Sequence, residues 1–198
     1  MAERTARVSR ETKETSIQVA LDLDGSGQHD IITGIGMLDH LISQLARHGN
    51  FDIQVRATGD IHIDEHHTVE DVALCLGQAL RQALGDGKGI VRMGHAIVPM
   101  DEALALVAVD ISGRGNATVE ARFRKQKIGE LASELIPHML ESMAAEGRFN
   151  LHAQLLAGRD DHHRAEALFK ALGRALEMAT RLDPRRAGEI PSTKGHLI

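Results

Sequence analysis

Apolar residues alternate strictly at Ile17, Val19, Leu21 and Leu23, the mark of a strand with one buried face. A weaker alternation runs through residues 3–10. Gly25-Ser26-Gly27 reads as a turn, and residues 28–32 as the returning strand. Beyond Gly36 the period changes. Met37, Leu38, Leu41, Ile42 and Leu45 recur at helical spacing up to Gly49, and Phe51, Ile53 and Val55 alternate again. A long helix is predicted from His66 through Val69, Val72, Leu76, Leu80 and Leu84, ending in the glycine-rich loop Gly85–Gly89.

The second half repeats this plan. Strands are predicted at 96–100, 104–111 and 119–123, a helix at 130–146, an extended segment at 149–155 and a long helix at 161–181. His40 and His138, Gly49 and Gly147, and Phe51 and Phe149 match at a separation of 98. A two-residue deletion in the second half resets the separation to 96, which matches His66 with His162, His67 with His163, Glu70 with Glu166 and Gly77 with Gly173. The economical reading is an internal duplication, with a first half-repeat over 1–92 and a second over 93–198 that includes a Pro/Gly-rich tail. Clustered strands with two amphipathic helices per half predict an α+β sandwich in which helices cover the sheets, built as one compact unit.

Composition narrows the function classes. Net charge is −5, and the chain has no Trp, no Tyr and four Phe, so neither a basic footprint nor stacking platforms favour a nucleic-acid partner. No apolar run approaches a membrane span, and residues 1–16 lack the apolar stretch of a signal peptide. The lone Cys75 excludes an intrachain disulfide and fits a reducing compartment. A cytoplasmic protein is the expectation.

Histidine is where the chemistry concentrates, at twelve residues. His66-His67-Thr68-Val69-Glu70 and His162-His163-Arg164-Ala165-Glu166 place a carboxylate four residues after the first histidine. On a helix those two positions share a face and can meet one metal ion, whereas the adjacent histidine points roughly 100° away. Each copy thus holds most of one metal site plus a single ligand for another. Duplication suggests His66 and Glu70 with His163 on one ion, and His162 and Glu166 with His67 on the other. His40 and His138, matched on the preceding helices, are natural fourth ligands. Such a mixed nitrogen and oxygen set suits Mn, Fe, Co or Zn. A solvated, histidine-rich face is the alternative. The tail Pro191-Ser192-Thr193-Lys194-Gly195 offers hydroxyls, an ammonium and backbone amides for a phosphate.

Several ordered motifs carry a resemblance over essentially the whole length. They are Gly34–His40, Gln44–Gly49, His66–Asp71, Pro99–Ala103, Asp110–Arg114, His162–Lys170 and Pro191–Gly195. On these the chain resembles the imidazoleglycerol-phosphate dehydratase family of histidine biosynthesis, in its monofunctional form. The resemblance implies a ribosomal protein S5 domain 2-like fold and two Mn2+ per active site. One ion would be held by His66, Glu70, His138 and His163, the other by His40, His67, His162 and Glu166. It implies phosphate contacts from Arg92, Arg114, Lys170, Ser192 and Lys194, and substrate contacts from Gln44 and Asp101. Glu14 takes an acid/base role in this picture, with Glu166 beside it among the catalytic residues. The implied assembly is a homo-oligomeric shell of 24 subunits with sites at subunit interfaces.

The implied reaction is loss of water from imidazoleglycerol phosphate to give imidazole acetol phosphate. Two ions on the two nitrogens of a flat ring would stabilise an imidazolate, whose electron push expels the hydroxyl. Two other classes share part of the pattern. A dinuclear metallohydrolase would commonly need bridging Asp residues, and no such Asp is matched by the repeat. A metal-storage assembly would not need Ser192, Lys194 and Arg114.

Overall fold

A computed structural model describes residues 3–197. The first half contributes β1 (Thr5–Glu11), β2 (Thr15–Asp22), β3 (His29–Ile32), α1 (Gly36–Gly49), β4 (Asp52–Gly59) and α2 (His66–Leu84). The second contributes β5 (Met93–Met100), β6 (Ala103–Asp110), β7 (Asn116–Glu120), β8 (Lys127–Ile128), β9 (Leu131–Ala132), α3 (Leu135–Gly147), β10 (Asn150–Ala157) and α4 (Asp161–Thr180). A 3-10 turn at Pro184–Arg186 opens the otherwise irregular tail.

The two four-stranded sheets have the same strand order, β1-β2-β4-β3 and β5-β6-β10-β7. In each the edge strand β3 or β7 runs parallel to its neighbour while the other pairs are antiparallel. The expected α+β sandwich of two similar sheet-and-helix halves is the observed fold. Strand patterns such as BeBeB along β2, buried then exposed, show why one face of each sheet turns inward.

Three sequence expectations need correction. Residues 28–32 do form a strand, but β3 does not return along β2. It pairs with β4 from Ile53 to Arg56, because the turn before it is pinned to β4: the N–H groups of Ser26 and Gln28 both donate to Asp52 Oδ1, at 2.8 Å. The helix expected from 130 begins at Leu135, since Leu131 and Ala132 are drawn into the β8–β9 hairpin. The strand expected at 119–123 lies instead at Asn116–Glu120.

Among the described residues that hairpin has no counterpart in the first half, and it braces both helix starts near the site. Glu130 accepts the Met37 N–H at the head of α1, and Glu65, just before α2, accepts the Ala132 N–H. Pro137 is the third residue of α3, a first-turn position whose missing N–H leaves no intrahelical bond unmade.

The helices pack crosswise between the halves: α2 lies on α3, and α1 on α4. The contact points are the glycines matched by the repeat. A Cβ on Gly77 would sit 2.5 Å from the Met143 carbonyl oxygen, and one on Gly173 would sit 2.7 Å from the Leu45 carbonyl oxygen. Only glycine lets the backbones approach this closely. Residues of both halves, Leu41, Leu76, Leu140 and Leu172 among them, thus share one core.

Candidate metal centre and active site

The crosswise packing brings helix starts from opposite halves together. Asp64 and Asp160 each accept the backbone N–H of the first histidine of a doublet, at 2.9 and 2.8 Å, and fix both doublets in the first turns of α2 and α4. His66 and Glu70 of α2 then meet His138 of α3. His162 and Glu166 of α4 meet His40 of α1. In each triad one ligand atom per residue lies within 4.8 Å of the others.

The triads are near copies. His66 and His138 stack with ring centroids 4.9 Å apart, and His40 and His162 at 5.2 Å. Glu70 approaches His66 Nε2 at 3.8 Å and His138 Nε2 at 3.6 Å. Glu166 approaches His40 Nε2 at 3.4 Å and His162 Nε2 at 3.5 Å. Burial works against the Glu166 carboxylate, but Lys170 at 2.7 Å and His40 outweigh it and hold its pKa below the ordinary value.

Glu70 and His138 give the clearest test of fit for a metal. His138 Nε2 is buried and has no hydrogen-bond partner among the described residues, although it faces the Glu70 carboxylate. A buried polar atom left unmatched is costly, and a cation between imidazole and carboxylate would satisfy it. Two imidazoles and one carboxylate fit a divalent transition metal with positions left open.

The second histidine of each doublet turns away from its own triad. The His66 and His67 rings stand at 87°, and those of His162 and His163 at 82°. The grouping of His66 and Glu70 with His163, and of His162 and Glu166 with His67, is therefore not made within one chain. His67 Nδ1 faces Asp60, at 3.1 Å from Oδ2, and His163 Nδ1 faces Glu102 at 2.8 Å. Each carboxylate raises the pKa of its histidine. Glu102 is itself held far below the usual carboxylate range by the Asp160 N–H, His163 and the Arg159 N–H. Asp60 and Glu102 went unassigned in the sequence, although Glu102 stands within the motif Pro99–Ala103.

The remaining candidates fall in two places. Glu14 lies in the β1–β2 turn, 3.8 Å from His67 Nδ1, and Asp101 lies 3.7 Å from His163 Nε2. Lys170 pairs with Glu166 one turn along α4, and Gln44 is half-buried on α1. Arg92 is bound by Asp110 and donates to the Pro191 carbonyl at 2.7 Å, which ties it to the tail that carries Ser192 and Lys194. Among the described residues, no hydrogen bond or ion pair joins Arg92, Arg114, Ser192 or Lys194 to either triad.

Fold and site together define a duplicated α+β enzyme framework with paired histidine–carboxylate clusters at its helix starts. The family model for imidazoleglycerol-phosphate dehydratase matches residues 33–176. Imidazoleglycerol-phosphate dehydratase of Roseiflexus sp. (strain RS-1) is 60% identical over 194 residues, covering 98% of each chain. That of Dehalococcoides mccartyi (strain ATCC BAA-2266 / KCTC 15142 / 195) is 58% identical over 197 residues, covering 100% of this chain and 99% of the relative. The crystal structure of IGPD from Pyrococcus furiosus in complex with (S)-C348 superposes with a TM-score of 0.83 at 37% identity, covering 96% of this chain and 100% of that one. The Staphylococcus aureus subsp. aureus N315 enzyme gives 0.82 at 32% identity, covering 90% and 99%. The chain belongs to the imidazoleglycerol-phosphate dehydratase family, hydro-lyases of histidine biosynthesis.

Proposed function

We propose that this chain dehydrates imidazoleglycerol phosphate to imidazole acetol phosphate, with two divalent ions, Mn2+ by preference, at the paired clusters. The observation that carries this is the pair of matched triads, one of which leaves His138 Nε2 buried without a partner among the described residues. His66, Glu70 and His138 would hold one ion, and His40, His162 and Glu166 the other. His163 and His67 would complete them from neighbouring copies, in a homo-oligomer for which a 24-subunit shell is the expected form. When bound, the ions would supply Lewis acidity toward the imidazole ring of the substrate.

Glu14 is the carboxylate placed to move the proton from the neighbouring carbon, because its side chain is exposed and outside both triads. Carbon–oxygen cleavage and this deprotonation together release water and leave an enol, which becomes the ketone. Asp101 and Gln44 orient the hydroxylated chain. Arg92, Arg114, Lys170, Ser192 and Lys194 bind the phosphate, whose distance from the reacting carbons lets binding energy serve positioning. Among the described residues no helix is long and apolar enough to cross a membrane.

Incubating Mn-loaded protein with imidazoleglycerol phosphate tests the reading. Ketone formation supports it; release of inorganic phosphate instead would assign a phosphatase.

A further inference from the structure

The strand registers reveal a further match between the halves, at a separation of 88. Leu21 pairs with Ile53 as Val109 pairs with Leu151, and Val8 pairs with Val19 as Ala96 pairs with Val107. On this register Glu14 and Glu102 are counterparts. Each is the last residue before the second strand of its sheet, and each lies beside the second histidine of a doublet.

They are engaged differently. Glu102 is fully bound: Oε2 accepts from His163 Nδ1 at 2.8 Å, and Oε1 accepts the N–H groups of Arg159 and Asp160 at 2.9 and 2.7 Å. The Glu14 carboxylate stands 3.8 Å from His67 Nδ1, and its side chain is 57% exposed. Asp60 takes the place beside His67 instead, with its own side chain only 12% exposed and its N–H donating to the Glu14 carbonyl at 3.1 Å. Asp60 comes from the loop between β4 and α2, residues 60–65, which is three residues longer than its second-half equivalent at 158–160. Past the β-bulge between Leu155 and Ala157, Gly158 is the counterpart of Gly59, since each lies against the start of the second strand at Thr15 or Ala103. Asp60 therefore corresponds to Arg159, which offers no carboxylate.

An imidazole that ligates through Nε2 must donate from Nδ1, and some acceptor has to receive that proton. The second half has one carboxylate for the task and uses Glu102. The first half has two. We propose that Asp60 is a positioning residue: by accepting from His67 it releases Glu14 from the structural duty that Glu102 performs, so that one carboxylate of the duplicated pair is free for proton transfer. This rests on the reading of Glu14 given above. It explains how a symmetric repeat supports a reaction needing a mobile carboxylate on one side only.

Replacing Asp60 with glycine removes the extra acceptor, leaving one carboxylate beside the histidine as in the second half. In a crystal structure of Asp60→Gly, the Glu14 carboxylate should lie about 3 Å from His67 Nδ1. Turnover of the metal-replete variant should fall about tenfold or more, with little change in KM. Asp60→Asn keeps an acceptor oxygen and should retain most of the turnover. Asp60→Ala is the parallel variant should added loop freedom impair folding. Because Asp60 acts through Glu14, the double variant Glu14→Gln/Asp60→Gly should be no slower than Glu14→Gln alone. Metal content is measured for each variant by elemental analysis. Glu14 remaining apart from His67, wild-type turnover of Asp60→Gly, or losses that multiply in the double variant would each overturn the proposal. If Glu14→Gln is slow and Asp60→Gly is not, the proposal alone fails. Wild-type turnover by Glu14→Gln removes the proton-transfer reading and the proposal together.

Discussion

His66 and His138 lie ring against ring, centroids 4.9 Å apart and planes 30° from parallel, although they belong to different halves of the repeat. Neither half contains a complete triad. The helix pairing α2 on α3 and α1 on α4 assembles both, and the glycine contacts at Gly77 and Gly173 set how closely those helices approach.

Removing one imidazole of a triad should empty that site alone. His138→Ala, or Glu70→Gln, is expected to lower bound metal by about half and to abolish most turnover, with the second triad still loaded. Elemental analysis after dialysis checks this, and a full metal complement in either variant would refute the ligand assignment.

Glu102 fixes His163 in place and should matter for metal binding without touching the ion. Glu102→Ala is expected to weaken affinity by about 10–100-fold, the usual cost of losing a carboxylate behind a ligating histidine. Competition with a chelator of known affinity measures the loss. The variant's loop at Arg159 and Asp160 also loses its acceptor, so Glu102→Gln, which keeps one, should lie between variant and wild type.

Adding one methyl group at the helix crossing should destabilise the fold. In Gly77→Ala the new Cβ would sit 2.5 Å from the Met143 carbonyl oxygen and 2.8 Å from the Gly147 nitrogen, both backbone atoms that cannot step aside. A loss of about 1–3 kcal/mol is expected, read from the denaturant midpoint. Gly173→Ala should behave alike, since its contacts at Leu45 and Gly49 are the repeat's copy.

Acid should loosen the tail through Asp183. Its carboxylate accepts from Arg185 Nε at 2.9 Å and from Arg185 Nη2 at 2.8 Å, and the Arg185 guanidinium holds its pKa down at about 2 from an ordinary 3.8. A value depressed by folding stabilises above the unfolded pKa, and that stabilisation fades as pH falls through the folded one. Protection of the tail amides, taken as exchange relative to the intrinsic rate at each pH, should therefore fall between about pH 4 and pH 2. Asp183→Asn should show low protection already at neutral pH and little further change across that window.

Local pattern made the long elements legible. The apolar spacing of Leu38, Leu41, Ile42 and Leu45 defines α1, and that of Val69, Val72, Leu76 and Leu80 defines α2, because each row faces the core. The partner of β3 was not legible, because pairing with Ile53–Arg56 depends on Asp52 gripping a turn from across the sheet. The β8–β9 hairpin is too short for any periodicity to show. At the site, the i and i+4 spacing of His66 and Glu70 identified two members of a triad. Which histidine joins them depends on helix crossing, which no local spacing records. The separation of 88 is written in the strand sequence, where Val19, Ala20, Asp22, Gly25 and Gly27 match Val107, Ala108, Asp110, Gly113 and Gly115. The residues just before Glu14 and Glu102, Lys13 and Asp101, differ, so strand register is what extends the match to the two carboxylates.

The crosswise triads also bear on how such a chain could arise. A half-length ancestor folded alone would have left one face of each helix bare and would have owned two-thirds of each ligand set at most. Two copies would have had to pair before either could grip an ion. Tandem duplication would have joined that pair through the connection from α2 to β5, residues 85–92, turning an encounter between molecules into a contact within one. Once joined, the two copies were free to diverge, and Asp60 where the second half carries Arg159 is a trace of that freedom.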